Sequence, residues 1–149
     1  HSPVQEPQPL AYLREDPANN SYDINLSVEL KAENSAQTDV ISQTNFKYMY
    51  WSMAQQLTHH TIAGCNVNVG DLMGSGTISG PTPESYGSLL EITWNTTQPL
   101  TLSNGEQRGF LEDGDTLTMK GYCEKDGLRI GFGEVTGKIL PAVQFNFQN

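Results

Sequence analysis

The clearest pattern in the chain is a strict alternation of apolar and polar residues between positions 22 and 31. The apolar members of this series are Tyr22, Ile24, Leu26, Val28 and Leu30. A period of two places all of these side chains on one face of a strand, so the pattern predicts a half-buried strand. A second short strand is expected through Val40 and Ile41.

A helical period follows these strands. Apolar residues recur on one helical face at Phe46, Met49, Tyr50, Met53 and Leu57. Thr44 or Asn45 is a suitable N-cap, so we predict one main helix at about residues 45–60. The two histidines at its end, His59 and His60, are well placed to interact with the helix C-terminus, and this structural role is favoured over a catalytic or ligand role.

The second half of the chain carries short strand patterns separated by turn signals. The dipeptides at 104–105 and 126–127, Asn-Gly and Asp-Gly, are typical of β-hairpin turns. Further strands are expected near residues 89–94, 100–102, 106–110, 117–119, 121–124 and 128–132, with a last strand or arm at 142–149. With eight or nine strands in all, we predict a β-rich α+β fold: a curved mixed β-sandwich roll with one main helix (about 45–60).

The chain is about the length of one domain. Its 149 residues contain no internal repeat, and four prolines within the first seventeen residues predict an extended lead-in at 1–20 that lies over a neighbouring surface. Because the sequence begins with His1 rather than Met, we expect that it has been cut from a longer protein.

Charge and cysteine usage restrict the partners. A net charge of −9 and an isoelectric point near 4.6 argue against nucleic acid or an anionic membrane surface, because an acidic protein gains nothing from counterion release. Cys65 and Cys123 have no metal or redox spacing, which favours two free thiols in a reducing cytosol. An anionic ligand would require a metal ion or a few of the cations Lys47, Arg108, Lys120, Arg129 and Lys138.

The candidate chemistry centres on a glycine-rich stretch. Five glycines lie between residues 70 and 87 of otherwise strand-like sequence, which indicates backbone that bends sharply or approaches another surface. Thr77 follows one of them, so its hydroxyl is expected to be open to a ligand. Glu91 interrupts an apolar run, and its carboxylate is either the outward member of an alternating strand or a buried group with a function.

Other motifs carry less weight. Residues 74–76, Gly-Ser-Gly, resemble a fragment of a phosphate loop, but no helix pattern follows. Ser75 would need a histidine base to act as a nucleophile, and the chain has only three histidines. Asp113 and Asp115 flank a glycine in a turn, so turn chemistry is favoured over metal binding.

Several strings together resemble the C-terminal part of the fumarylacetoacetate hydrolase family. The broader family shows Gly-Asp followed by Gly-Thr, here at 70–71 and 76–77, and Asp-Gly-Asp, here at 113–115. The resemblance runs from about residue 5 to residue 142. Its more specific strings are 23–27, 45–51, 55–60, 70–81, 88–94, 110–115, 121–123 and 129–133.

The resemblance implies a hydrolase that cleaves the carbon–carbon bond of fumarylacetoacetate to fumarate and acetoacetate, the last step of tyrosine and phenylalanine catabolism. Such a step needs a base for the attacking water and positive charge for two developing anions. In the family a histidine is the base, a glutamate orients it, and carboxylates hold Ca²⁺ or Mg²⁺ beside the diketo-acid substrate. Glu91 matches the glutamate and Thr77 matches a threonine that contacts substrate. The resemblance further implies a cytoplasmic, cytosolic homodimer.

The family's histidine base, its metal-binding carboxylates and most of its substrate-binding residues lie upstream of this chain. We therefore expect residues 1–149 to form the C-terminal portion of a catalytic domain, to supply Thr77 and Glu91, and to be inactive alone, with the ligands of the metal outside the chain. Two alternatives remain: a non-catalytic β-structured binding or scaffold module, and another diketo-acid hydrolase or decarboxylase of the same superfamily. Unpaired sheet edges would make the isolated chain prone to aggregation or only marginally stable.

Overall fold

The computed structural model describes residues 4–16 and 21–144. Its strands are β1 (Asn25–Lys31), β2 (Asp39–Asn45), β3 (Leu100–Thr101), β4 (Gln107–Arg108), β5 (Thr116–Lys125) and β6 (Leu128–Lys138). Four of them form an antiparallel sheet in the order β2-β1-β5-β6, and β3 and β4 form a separate antiparallel ribbon. The helices are α1 (Met53–Ile62) and the single-turn α2 (Leu89–Ile92). The predicted β-rich α+β class with one main helix is confirmed.

The core lies where β1 and β2 meet the segment that carries β3. Leu30, Ala32, Ile41 and Leu102 are buried there. Leu89 of α2 packs against this cluster, so the core ties α2 to the sheet. The alternation at 22–31 predicted β1 correctly, although the paired strand begins at Asn25.

Both predicted hairpin turns are present. Asp126 and Gly127 have φ angles of +52° and +79°, as a two-residue turn between twisted strands requires. Gly105 has a φ of +87° in the turn between β3 and β4. The strand pattern at 117–119 and 121–124 belongs to one strand, β5, rather than two.

The start of the main helix was predicted wrongly. Asn45 pairs with Asn25 as the last residue of β2, and its side chain caps only a 3₁₀ turn at Phe46–Tyr48. The helix begins at Met53, where Ser52 and Gln55 form a reciprocal capping box. Its end at Ile62 lies two residues beyond the predicted limit.

The predicted strand at 89–94 is a second error. Ser88 caps α2 by accepting the backbone N–H of Glu91, and this local bond favours a helical turn. Positive φ angles at Trp94, Asn95 and Thr96 then end the turn. The strand-like reading of residues 70–81 is also wrong, because that stretch has neither helix nor strand.

Six strands lie within 4–16 and 21–144, fewer than the eight or nine predicted. Residues 142–144 of the predicted final strand are not in a strand, and its remainder, 145–149, lies outside the described residues. Every residue of the edge strand β6 is exposed. Within the described ranges, we find no helix with both the length and the apolar character needed to cross a membrane.

Residues 4–16 of the lead-in lie against α1. The side-chain amides of Gln5 and Gln55 pair reciprocally, at 2.7 and 2.8 Å. Gln55 is buried, and its Nε2 also donates to the carbonyl of Leu13 at 2.7 Å. The lead-in therefore supplies hydrogen-bond partners that the helix does not supply itself.

Candidate active-site segment

Glu91 is the third residue of α2, and its carboxylate is exposed. Its Oε2 atom accepts hydrogen bonds from Ser79 Oγ at 2.7 Å and from Ser88 Oγ at 3.0 Å. The sequence left open whether this carboxylate is the outward member of a strand or a buried group. The structure shows that it points outward, but from a helical turn instead of a strand. Its position is nevertheless fixed, because two hydroxyl groups hold one of its oxygens.

Thr77 lies on the glycine-rich segment beside α2. It is exposed, and its methyl group approaches Gly87, where an added Cβ would lie 2.7 Å from Thr77 Cγ2 and 2.5 Å from the carbonyl oxygen of Ile78. The backbone N–H of Gly87 also donates to Ser79 Oγ at 3.1 Å. Gly87 thus allows the segments of the two predicted site residues, Thr77 and Glu91, to meet.

The turn that carries Glu91 is anchored from beneath. Thr93 is completely buried, and its Oγ1 lies 2.7 Å from the carbonyl oxygen of Leu89 and 3.1 Å from that of Gly109. The same oxygen accepts the backbone N–H of Thr96 at 3.1 Å. These bonds fix the end of α2 against the β4 region, so Glu91 projects from a constrained turn.

The adjoining segment is tied to the sheet. The backbone N–H of Gly80 donates to the carbonyl of Ser85 at 2.8 Å. Ser42 of β2 donates its hydroxyl to the carbonyl of Tyr86 at 2.7 Å. The loop between Thr77 and Glu91 is therefore tied to β2.

The histidines lie elsewhere on the chain. His59 stacks on Tyr12 and lies 3.1 Å from its hydroxyl through Nδ1, and His60 is exposed on the last turn of α1. Neither histidine makes a hydrogen bond to Glu91 or Thr77 among the residues that the structure describes. The contact of His59 with the lead-in is structural, and the interaction with the helix C-terminus favoured from sequence stays a prediction.

Of the cations considered for an anionic ligand, Arg108 is committed internally. It is 5% exposed, and it binds the fully buried Asp115 through Nε at 2.9 Å and Nη2 at 3.0 Å. The hydrogen bond to Asp115 is the main cause that raises the pKa of Arg108. Burial acts to raise the pKa of Asp115, but the hydrogen bonds from Arg108 and the Glu112 backbone outweigh it and hold that pKa below its usual value.

The acidic residues that the structure describes do not form a metal site. Among residues 4–16 and 21–144, no three His, Cys, Asp or Glu side chains lie together in a way that could hold a metal ion. Several carboxylates are instead paired with cations, as Glu29 is with Lys120 and Glu33 with Lys138. The described residues therefore do not fit a Ca²⁺ or Mg²⁺ site of their own.

Sequence reasoning missed the two serines that hold Glu91. Ser88 carries a recognisable signal, because Ser-x-x-Glu before an apolar run is typical of a helix N-terminus. Ser79 carries none, since it reaches Glu91 across twelve positions only after the intervening loop has folded back.

Comparison with known proteins decides the family. A family model described as "Fumarylacetoacetate (FAA) hydrolase C-terminal" matches residues 8–140. The chain belongs to the fumarylacetoacetate hydrolase family. The resemblance inferred from the sequence strings is confirmed.

Fumarylacetoacetases from several organisms are similar in sequence to this chain. Human fumarylacetoacetase is 56% identical over 142 residues, which cover 95% of this chain and 34% of the human protein. The bovine enzyme is 55% identical over 97% of the chain, and that of Arabidopsis thaliana is 53% identical over 95%. The chain spans about a third of the length of these relatives.

Proposed function

We propose that this chain is the C-terminal portion of a fumarylacetoacetase-like catalytic domain and supplies part of the site that hydrolyses fumarylacetoacetate to fumarate and acetoacetate. The observation that carries the proposal is that the segments of Thr77 and Glu91 meet at Gly87: both residues are exposed, and Ser79 and Ser88 hold the Glu91 carboxylate. The high identity to named fumarylacetoacetases supports the substrate.

In this proposal Glu91 orients the histidine that removes a proton from the attacking water. A carboxylate suits that role, because it accepts an imidazole N–H and stabilises the imidazolium that forms. The fixed position of Glu91 Oε2 supports it, since an orienting group must itself be held. Thr77 places its hydroxyl against the diketo acid. Addition of water to a carbonyl of that acid gives a tetrahedral oxyanion, and its collapse breaks the carbon–carbon bond and releases an enolate.

The base and the metal ligands belong to the part of the domain outside this chain. One alternative base here, His59, is engaged with Tyr12. The proposal includes Ca²⁺ or Mg²⁺ bound by that other part, where the ion would supply positive charge for the developing anions. We further propose that the protein is cytosolic and forms a homodimer, as the family resemblance implies. The free thiols Cys65 and Cys123 suit a reducing compartment. The exposed apolar residues of β6 suit a face that a second subunit covers.

The test is hydrolysis of fumarylacetoacetate by this chain alone and by a chimera in which the chain replaces the matching third of human fumarylacetoacetase, each with Ca²⁺ or Mg²⁺ added. We expect no turnover from the chain alone, turnover from the chimera, and its loss in the Glu91→Gln chimera. Glu106→Gln is a control, since Glu106 is half-exposed and binds Arg108 rather than the candidate site. Turnover by the chain alone would contradict the divided site, and an active Glu91→Gln chimera would contradict the role of Glu91.

A binding or scaffold module would give a folded chimera that takes up the metal yet does not turn over. A different diketo-acid hydrolase or decarboxylase would turn over another diketo acid faster than fumarylacetoacetate. Profiling the chimera against a series of diketo acids separates these outcomes. Sedimentation of the chimera at several concentrations tests the dimer.

A further inference from the structure

The two serines around Glu91 do more than cap a helix, because both donate to the same carboxylate oxygen. Ser79 Oγ accepts the backbone N–H of Gly87 at 3.1 Å, so its own proton is left to point at Glu91 Oε2, 2.7 Å away. Ser88 Oγ accepts the backbone N–H of Glu91 at 3.3 Å and points its proton at the same oxygen, 3.0 Å away. The direction of both hydroxyl protons follows from their other bonds.

A carboxylate oxygen has two lone pairs in its plane. Oε2 of Glu91 therefore has both lone pairs occupied, by Ser79 and Ser88. Within residues 4–16 and 21–144, Oε1 accepts no hydrogen bond that the structure records. A further donor that approaches Glu91 must use Oε1.

We propose that Ser79 is a positioning residue which, together with Ser88, reserves Oε1 of Glu91 for the N–H of the catalytic base. This inference rests on the proposed function of Glu91. An exposed glutamate otherwise samples many rotamers, and ordering it at each turnover would cost conformational entropy. Two charge-assisted bonds to Oε2 remove that freedom before the base and the substrate arrive.

Ser79 is the more informative of the two serines. Ser88 is the N-cap of α2, so its removal would also weaken the turn. Ser79 lies outside α2, on the segment that carries Thr77, and its hydroxyl couples the backbone of Gly87 to the carboxylate. It thereby sets the position of Glu91 relative to the substrate-contacting segment.

The experiment measures kcat and KM for fumarylacetoacetate in the chimera described above. Ser79→Ala is expected to lower kcat roughly ten- to a hundred-fold, as removal of groups that orient a reacting side chain does, with little change in KM. Ser79→Thr keeps the hydroxyl and should restore most of the loss. Ser79→Cys keeps the approximate volume with a weak donor, so it should fall with Ser79→Ala.

Ser75→Ala is the matched control, since Ser75 lies on the same loop and its hydroxyl donates to the neighbouring carbonyl of Gly76, at 3.1 Å, instead of to Glu91. A kcat for Ser79→Ala equal to that of Ser75→Ala would overturn the inference while leaving the proposed function intact. A raised KM with unchanged kcat would also overturn it, because that pattern indicates lost binding by the Thr77 segment. A parent chimera without turnover, or one indifferent to Glu91→Gln, would overturn the proposed function and this inference with it.

Discussion

The buried ion pair between Arg108 and Asp115 offers the sharpest test of how the fold is held. Three donors converge on the Asp115 carboxylate: Arg108 Nε and the Glu112 backbone N–H on Oδ2, both at 2.9 Å, and Arg108 Nη2 on Oδ1 at 3.0 Å. Asp115→Asn replaces one oxygen by an NH₂ donor. Whichever way the amide turns, at least one of the three donors then faces another donor, and the buried guanidinium loses its buried carboxylate partner.

The expected cost follows from that geometry. Removing one partner of a buried ion pair costs about 3–5 kcal/mol. Glu106 and Glu112 still contact Arg108, at 2.6 and 3.5 Å, although their side chains are 41% and 62% exposed and are therefore screened by water. We therefore expect about 3 kcal/mol, a large part of the roughly 5–15 kcal/mol that stabilises a domain. At about 2–4 °C per kcal/mol, the thermal midpoint should fall by roughly 6–12 °C.

Urea unfolding of this chain, followed by tryptophan fluorescence and far-ultraviolet circular dichroism, measures the change. Asp113→Asn is the control, because Asp113 lies in the same turn and is exposed; it should shift stability by less than about 0.5 kcal/mol. The double variant Arg108→Met/Asp115→Leu should lose less than Asp115→Asn, since no buried charge is left unpaired. Equal midpoints for Asp115→Asn and Asp113→Asn would refute the reasoning.

The same pair predicts a pH dependence. The folded pKa of Asp115 lies below its ordinary value, so its contribution to stability is fully present above that ordinary value and is lost as the pH falls through the lowered one. The difference between the parent chain and Asp115→Asn should therefore be constant near neutrality and shrink below about pH 4. A difference that grows on acidification would contradict this sign.

Two further predictions concern backbone and cap. In the chimera, Gly87→Ala should push the Thr77 segment aside, because the added Cβ would meet the carbonyl of Ile78. We expect kcat/KM to fall roughly tenfold or more. Gly74→Ala has open space around its Cβ and should leave activity unchanged. In the urea assay, Ser52→Ala should lower the free energy of unfolding by about 1 kcal/mol, because α1 loses its N-cap. Thr58→Ala on the same helix should lower it by less than about 0.5 kcal/mol. Equal losses would count against the cap.

The parts of the fold that sequence predicted well are those in which local pattern and long-range pairing agree. The alternation that ends at Lys31 coincides with β1, which pairs with β5 in an unbroken register and with β2 through one irregularity between Val28 and Glu29. The Asp126-Gly127 turn is equally well predicted, since its positive φ angles are a local demand.

The errors arise where two patterns compete. A short apolar run such as 89–94 fits a strand or a buried helical turn equally well by periodicity, and the cap at Ser88 decides for the turn. Asn45 is a good cap by type, but its pairing in β2 moves the start of α1 to Met53.

The candidate site shows a different limit. Thr77 and Glu91 were assigned through family resemblance, and the residues alone left the environment of Glu91 open. The hydroxyl of Ser79 on that carboxylate is a product of tertiary structure, so no spacing in the sequence signals it. Arg108 is another example. It is not free to bind an anionic ligand because it pairs with the buried Asp115, and no spacing in the sequence signals that pairing.

The amide pair between Gln5 and Gln55 changes where a laboratory should cut this chain. The family match begins at residue 8, three positions after Gln5. A protein trimmed to that match would lose the reciprocal partner of a glutamine that is only 3% exposed. Its α1 would keep a helical sequence and an intact cap, but the Gln55 amide would be left with only its bonds to Leu13 and to the Ser52 backbone. Expression vectors for this family should therefore retain the residues ahead of the match.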